Sequence, residues 1–229
     1  MTKNIVKYFL CIVLLSNIAV MSMPEKKVCK KKVILSLTKR EDRGSELIRA
    51  IKKENKEDVV HCLKQYYISE KYKGEALILV VKKRYKEKAE ALLEHDIADN
   101  YKGTALILAV KKGYANIVTL ILNYDVDVNF PDKDGKTALI IAAKKGNQVI
   151  AKLLLDQLQI DVNAQRNSGN TALLQAVSNG DEAMVKLLFG HPRIDITIKG
   201  KDRVSAIEAA QRYGFKSIEK LLQEFSQKK

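Results

Sequence analysis

The same sequence motif occurs several times along the chain, and this internal repetition restricts the possible folds more than any other feature. The segment YKGEALILVVKKRY at 72–85 matches YKGTALILAVKKGY at 101–114 in 11 of 14 positions. Looser copies of the pattern occur at 44–55, 134–147, 168–181 and 203–215. Self-similarity at a period of roughly 20–50 residues is typical of stacked repeat units.

The spacing of the copies predicts pairs of helices. The copies align on Ser45, Glu75, Thr104, Thr137, Thr171 and Ser205, which are 30, 29, 33, 34 and 34 residues apart. Each alignment point is followed by apolar residues at helical spacing and then by a second apolar run. In four copies the two runs are separated by a glycine that can end a helix in the left-handed conformation, namely Gly113, Gly146, Gly180 and Gly214. Each unit is therefore predicted to be a helix hairpin, with extended turns between hairpins.

The best copy carries a recognisable signature. It has Asp132, Gly135, Thr137, Ala138, Leu139, Ala142, Ala143 and Gly146, then Leu154, Leu155, Asp161, Val162, Asn163 and Ala164. This pattern resembles the ankyrin repeat, and the resemblance covers residues 45–229. It implies an all-α ankyrin-repeat solenoid of about six stacked helix-turn-helix units with degenerate terminal caps, the first of them at 45–74.

The first copies depart from the family pattern. Their shorter spacings of 30 and 29 residues leave few residues for the finger, the extended segment that joins one hairpin to the next in this family. Glu54 and Arg84 stand where the later copies have the hairpin glycine. Alanine replaces the family's proline after the alignment residue in most copies, which the first helical turn accepts. The first two fingers are therefore in doubt.

The beginning of the chain has a different character. Residues 1–22 contain two lysines followed by an apolar run of 13 residues, Tyr8 to Val20, interrupted by Ser16 and Asn17. This run is too short for a spanning helix, which needs about 20 apolar residues, and fits a signal-peptide core of about 7–15. We expect 1–22 to be a signal peptide, with an uncleaved anchor and a core helix as alternatives. Residues 23–44 read as a basic linker, in which lysines at 26–32 form a patch.

Export would leave two cysteines in the mature chain. Cys29 and Cys62 would then be able to pair in an oxidising compartment, but Cys62 stands where neighbouring copies have leucine, which favours a small buried hydrophobe. The sequence decides neither this pairing nor the choice between the periplasm and secretion. The composition, rich in Lys, Ile and Asn, suggests a bacterial source.

The residue content gives little support to catalysis. His61, His95 and His191 stand in different repeats, and no His/Cys/Asp cluster has metal-ligand spacing. The sequences KGEA at 73–76 and KGTA at 102–105 lack the rest of a phosphate-binding loop, so we expect their glycines to serve turns. The chain is predicted to be no enzyme, with no cofactor, metal or small-molecule substrate.

Lysine pairs recur at one position of the repeat, and they suggest a binding surface. The pairs are Lys52–Lys53, Lys82–Lys83, Lys111–Lys112 and Lys144–Lys145. The last two copies have Ser178–Asn179 and Arg212–Tyr213 instead. By analogy with the family, these positions face the concave groove. Family analogy adds Lys71, Lys133 and Lys136 to this surface, and Tyr72 and Tyr101 are expected at neighbouring finger positions.

The lysine pairs and the net charge of +14 favour an acidic partner. The main hypothesis is a monomeric, exported protein-binding module whose lysine-lined groove binds an acidic protein. The alternative is a polyanion binder, for nucleic acid or an anionic membrane, that uses the groove and the basic segment 26–32. The explanation that the lysine pairs have no binding role, and that a lysine-rich composition fills exposed positions, also stays open.

Overall fold

The computed structural model describes residues 43–53, 55–165, 167 and 169–228. The predicted signal peptide, Cys29 and the predicted linker up to residue 42 lie outside the described residues. The described part contains twelve helices and no strand: α1 (43–52), α2 (Lys56–Gln65), α3 (Glu70–Lys82), α4 (Lys86–Leu93), α5 (Asp99–Lys112), α6 (Ala115–Leu122), α7 (Ala138–Lys144), α8 (Gln148–Leu155), α9 (Ala172–Ser178), α10 (Glu182–Phe189), α11 (Ala206–Tyr213) and α12 (Lys216–Lys228).

The helices form two parallel layers. From α3 to α11, each odd-numbered helix packs on the next odd-numbered helix, and from α2 to α12 each even-numbered helix packs on the next even-numbered one. We call these the inner and outer helices. One continuous apolar core runs from Leu47 to Leu222. Since no hairpin can bury its apolar stripe alone, stacking accounts for the core, and the predicted all-α solenoid is confirmed.

The turn within five of the hairpins contains a left-handed residue. Gly113, Gly146, Gly180 and Gly214 have φ between 64° and 75°, as the sequence predicts. Arg84 holds the equivalent position in an earlier hairpin with φ of 64°, a conformation that costs a residue with a Cβ about 1–2 kcal/mol. The turn geometry is thus kept at Arg84, where the glycine is missing.

The inner helices fall into two classes, and the difference explains the uneven spacing. Helices α7, α9 and α11 begin directly after Thr137, Thr171 and Ser205, whose hydroxyl groups accept a hydrogen bond from the backbone N–H three residues on. Helices α3 and α5 begin five residues before the equivalent positions Glu75 and Thr104, and they have 13 and 14 residues. Residues that would form a finger are therefore helical there, which resolves the doubt about the first fingers.

Aromatic rings lie against glycines in these early repeats. A Cβ built on Gly74 would lie 2.1 Å from the ring of Tyr101, and one on Gly103 would lie 2.3 Å from the ring of Phe130. Gly44 is related to Tyr72 in the same way. The expectation that the KGEA and KGTA glycines serve turns is wrong, because both lie inside helices and make room for a ring of the next repeat.

Asparagines join the later fingers to one another. Asn129 donates to the backbone oxygen of Gln159 at 2.8 Å and accepts from the backbone N–H of Asp161 at 2.8 Å. One repeat later, Asn163 makes the same two bonds, to Arg193 at 2.7 Å and from Asp195 at 2.9 Å. These bonds satisfy backbone groups between repeats and hold each finger at a fixed offset from the next.

Cys62 lies in the core, with 9% of its surface exposed. Burial raises the pKa of its thiol, and Glu46 and Asp58 raise it further. The side chain behaves as the small hydrophobe that its place in the repeat predicts. In the described part of the chain, no helix has both the length and the apolar character needed to span a bilayer.

Candidate functional site: a row of lysines at the ends of the inner helices

All four lysine pairs lie at the C-terminal end of an inner helix. Lys52 and Lys53 end α1, Lys82 and Lys83 end α3, Lys111 and Lys112 end α5, and Lys144 and Lys145 end α7. All eight residues are exposed. We call them the lysine row. Because packed helices lie about 8–10 Å apart, neighbouring pairs are close to the Debye length of about 8 Å, so their fields overlap.

The helix ends partly explain why cations are tolerated here. The last carbonyl groups of a helix carry partial negative charge, which favours a lysine in the last turn. The lysines of neighbouring helices repel one another, since they carry like charges at short range. A bound anion would relieve this repulsion without disturbing the helix ends.

One ion pair shows which way Lys111 faces. Lys111 Nζ donates to Asp132 Oδ2 at 2.7 Å, and Asp132 belongs to the finger that precedes the next inner helix, α7. Asp132 Oδ1 also accepts from the backbone N–H groups of Asp134 and Lys136, at 3.0 and 2.9 Å. Lys111, the first lysine of its pair, therefore faces the finger before α7.

The same ion pair lowers the pKa of the Asp132 carboxyl group. Burial alone would raise the pKa of Asp132, whose side chain is 10% exposed. The hydrogen bonds from Lys111, Lys136 and Asp134 outweigh burial and hold the pKa below its usual value. Asp132 is thus a stable anion, and it neutralises Lys111 from within the protein.

The other lysines of the row are less engaged. Lys53 Nζ lies 4.0 Å from a carboxylate oxygen of Asp58, a long and exposed pair. Within the described residues, the structure shows no ion pair for six members of the row: Lys52, Lys82, Lys83, Lys112, Lys144 and Lys145. These six provide the positive charge available to a partner.

The remaining candidate residues differ in their exposure to solvent and in whether they already have a partner. Tyr72 and Tyr101 are half-buried in α3 and α5, so their expected finger positions are wrong: the chain is helical where the fingers were expected. Lys71 is exposed in the first turn of α3, and Lys133 is exposed at the tip of the finger before α7. Lys136 is paired with Asp134 at 2.5 Å, which removes it from the available charge.

The row ends at the last two repeats. Asn179 takes the position of the second lysine and donates to the backbone oxygens of Ala143 and Lys144, at 3.3 and 3.0 Å. Ser178 donates to the backbone oxygen of Leu174 at 2.8 Å. Arg212 and Tyr213 are exposed at the end of α11. Together with Ser178 they line a cleft on the loop at 200–204, which the sequence did not indicate.

Lys88 is buried, which its local sequence does not suggest. It is 4% exposed, and its ammonium group donates to the backbone oxygens of Ile51, at 3.0 Å, and Lys53 at the end of α1. The ammonium also lies 4.6 Å from the ring centre of Tyr85. This lysine caps a helix of the neighbouring repeat, and nothing in its local sequence distinguishes it from a solvated lysine.

The histidines do not come together in one site. Burial lowers the pKa of His95, and Lys73 lowers it further; burial and Arg193 lower the pKa of His191. His191 Nδ1 accepts the backbone N–H of Arg193 at 3.3 Å, a local turn bond. Among the described residues, no group of three or more His, Cys, Asp or Glu side chains is placed to hold a metal ion.

Comparisons with known proteins agree with this architecture. The family model for ankyrin repeats, spanning three copies, matches residues 47–132 and 124–200. The chain is similar to the crystal structure of EF0377, an ankyrin repeat protein, with 27% identity and a TM-score of 0.69 over 78% of this chain and 96% of that one. No curated protein matches it. The matched repeats span more than half of the 229 residues, and the chain belongs to the ankyrin-repeat family.

Proposed function

We propose that this protein is an interaction module that binds an acidic protein segment along the lysine row. Ankyrin repeats are generally non-catalytic and mediate binding between proteins. The observation that carries the proposal is the placement of four exposed lysine pairs at the same end of four successive inner helices. A solenoid presents such repeated positions as one extended surface.

The internal ion pairs support a protein partner over a polyphosphate. Asp132 holds Lys111 and Asp134 holds Lys136, so neither of these lysines is free to neutralise a phosphate. Exposed Asp125 and Asp127 lie at the start of the same finger. A phosphate backbone would meet the exposed carboxylates of Asp125 and Asp127, whereas a folded or extended protein segment can put carboxylates on the row and neutral or basic groups opposite the finger.

The test compares two charge-reversal variants of the full-length chain. The first changes Lys82, Lys83, Lys144 and Lys145 to Glu, and the control changes four exposed outer-helix lysines, Lys86, Lys152, Lys216 and Lys220. Both lower the net charge by the same amount. A labelled peptide of alternating Glu and Ser residues is the probe. The row variant should bind roughly 10–100-fold more weakly than the wild type, because each exposed pair contributes up to about 1 kcal/mol.

Two further measurements make the result decisive. Because glutamate at a helix C-terminus destabilises the helix, a second row variant carries Gln at the same four positions, and circular dichroism checks that every variant is folded. Equal loss in the row and control variants would show binding to net charge alone. Duplex DNA that binds more tightly than the peptide, with steep weakening by salt, would replace the proposal by the polyanion alternative.

We also propose that the protein is exported and acts in the periplasm or outside the cell. The proposal rests on the two lysines and the 13-residue apolar run of residues 1–22, which fit a signal peptide better than a spanning helix. Cell fractionation followed by N-terminal sequencing of the mature chain tests it. A chain recovered from the cytosol with its first 22 residues intact would refute export.

A further inference from the structure

A lysine occupies a core position in the second hairpin, α3–α4. Lys88 is the third residue of the outer helix α4, and the third residues of the four later outer helices are Ile117, Ile150, Met184 and Ile218. These four apolar side chains are at most 1% exposed, and Lys88 is 4% exposed. Burying an ammonium group is unfavourable at a position that takes an apolar residue in four other hairpins. Packing alone therefore does not account for this lysine.

The ammonium group of Lys88 is bound to the end of the first inner helix. It donates to the backbone oxygen of Ile51 at 3.0 Å and to that of Lys53, at the C-terminal end of α1. It also lies 4.6 Å from the ring centre of Tyr85. Within the described ranges, no carboxylate forms an ion pair with it. The partial negative charge of the last carbonyl groups of α1 thus stabilises this buried cation.

The two bonds of Lys88 reach the backbone that carries the first lysine pair. Ile51 and Lys53, whose oxygens accept these bonds, are the residues on either side of Lys52. Because peptide groups are planar, fixing both carbonyl groups fixes the direction in which the Lys52 side chain leaves the helix. The first pair is therefore held at a set offset from the second hairpin, which carries Lys82 and Lys83.

The last pair of the lysine row is attached in a similar way. Asn179, at the end of the inner helix α9, donates to the backbone oxygens of Ala143 and Lys144, at 3.3 and 3.0 Å. At both ends of the row, a polar side chain of the following hairpin thus binds the helix end that carries the lysine pair. At the first end this side chain is a buried cation, which makes Lys88 the more unusual of the two.

We infer that Lys88 is a positioning residue of the lysine row: it holds Lys52 and Lys53 where an acidic partner contacts them together with the second pair. The inference rests on the proposed function. Because Lys88 is buried, it does not touch the partner itself. Its replacement should therefore change binding only through the first pair.

The test is a double-mutant cycle on the full-length protein. Lys88→Ile introduces the residue type of the later hairpins, and it is combined with Lys52→Gln/Lys53→Gln, which removes the charge of the first pair. Lys88→Met, with an unbranched side chain, is the second variant if the isoleucine does not fold. The control is Lys86→Gln, which removes an exposed ammonium group from the same helix. Fluorescence anisotropy with a Glu/Ser peptide of about 12 residues, enough to span four helices, measures each affinity.

Thermal melts of every variant ensure that binding is compared well below the unfolding temperature. Lys88→Ile should weaken binding about three- to tenfold in the wild-type background and have little effect in the Lys52/Lys53 variant. The Lys86 control should lose less than Lys88→Ile, although it removes the same charge.

Two results would overturn the inference. One is unchanged binding by the Lys88 variant. The other is an equal loss in both backgrounds, because a general loss of stability, or of the ammonium charge itself, would persist without the first pair. If no acidic peptide binds the wild type, the proposed function fails and the positioning role with it.

Discussion

Lys111 and Asp132 join two successive repeats, with Lys111 Nζ 2.7 Å from Asp132 Oδ2. The bond connects the end of α5 to the finger before α7, and it takes one ammonium group out of the lysine row. Stability and binding are therefore opposed at this point: the pair strengthens the contact between repeats and lowers the charge available to a partner.

Replacing Asp132 by Asn should separate the two effects. The single oxygen of the amide can still accept from the backbone N–H groups of Asp134 and Lys136, and the NH₂ group then faces Lys111, from which it cannot accept a hydrogen bond. We expect the free energy of unfolding in urea to fall by about 1–2 kcal/mol, near the lower end of the range of about 1.5–3 kcal/mol for hydrogen bonds to charged groups, because Lys111 is partly exposed. The acidic peptide should bind more tightly, because Lys111 is released. The control is Asp96→Asn, which removes an exposed carboxylate for which the described residues show no ion pair. An Asp132→Asn variant with weaker peptide binding would contradict this account.

The same carboxyl group gives a pH dependence of stability. Its pKa is lower in the folded protein than in the unfolded chain, so its contribution is fully present above the unfolded value of about 3.9 and is lost as the pH falls through the folded pKa. Melting temperatures of the wild type and Asp132→Asn, measured from pH 7 down to pH 2, should differ at neutral pH and converge in acid. A constant difference across this range would exclude the carboxylate as the cause.

The histidines add a second pH effect at higher pH. The folded-state pKa values of His95 and His191 are lowered, so their neutral forms favour folding above the unfolded value of about 6.5, and this contribution is lost as the pH falls. The double variant His95→Gln/His191→Gln should lose less stability than the wild type between pH 7.5 and 5, as thermal melts would show. If the double variant lost more stability than the wild type over this pH range, the histidines would not be the cause of the loss in acid, and this account would be contradicted.

Arg84 occupies a position where a glycine should serve better. Its left-handed φ of 64° destabilises the fold by about 1–2 kcal/mol. Its guanidinium lies 5.3 Å from the ring centre of Tyr114, and this cation–π contact stabilises the fold by about 0.5 kcal/mol. We expect Arg84→Gly to raise the free energy of unfolding by up to about 1 kcal/mol, and Gly113→Ala to lower it by about 1 kcal/mol. Urea denaturation measures both. A destabilised Arg84→Gly would mean that the arginine contact outweighs the backbone strain.

Gly74 tests the packing of the early repeats. Alanine there would place a methyl group 2.1 Å from the Tyr101 ring, so overpacking should cost about 1–3 kcal/mol, against a gain of about 1 kcal/mol in helix propensity. We expect a net loss of stability. In a double-mutant cycle with Tyr101→Ala, the double variant should lose less than the sum of the two single losses. Additive losses would show that the ring does not press on this glycine.

The repeat period allowed most of the fold to be predicted from the sequence. The hairpin glycines and the apolar stripes of the helices follow from local pattern, because each depends on neighbours within one unit. The extended α3 and α5 were not predicted, since YKG at 72–74 and at 101–103 reads equally as a turn. Only the packing of Tyr101 on Gly74 across repeats shows why helix is the better solution.

The candidate site was predicted less completely. The lysine pairs could be found because they recur in register, and the structure places each of them at a helix end. The contacts that individual lysines make could not be predicted. Lys111 pairs with Asp132, which lies 21 positions further along the chain, and Lys88 is buried against a helix of another repeat. The cleft at 200–204 was missed because its lining residues come from three separate segments. Such contacts depend on the offset between repeats, which no single copy encodes.

Zero-length carbodiimide cross-linking tests most directly whether acidic segments bind the lysine row. The reagent joins a carboxylate to an amine only when the two are in contact, and mass spectrometry of the wild-type protein with the Glu/Ser peptide identifies the lysines that react. The predicted cross-links lie on Lys52, Lys82, Lys83, Lys112, Lys144 and Lys145, with little on Lys111, which Asp132 already holds. Cross-links concentrated on the outer-helix lysines Lys86, Lys152 and Lys216 would contradict the account.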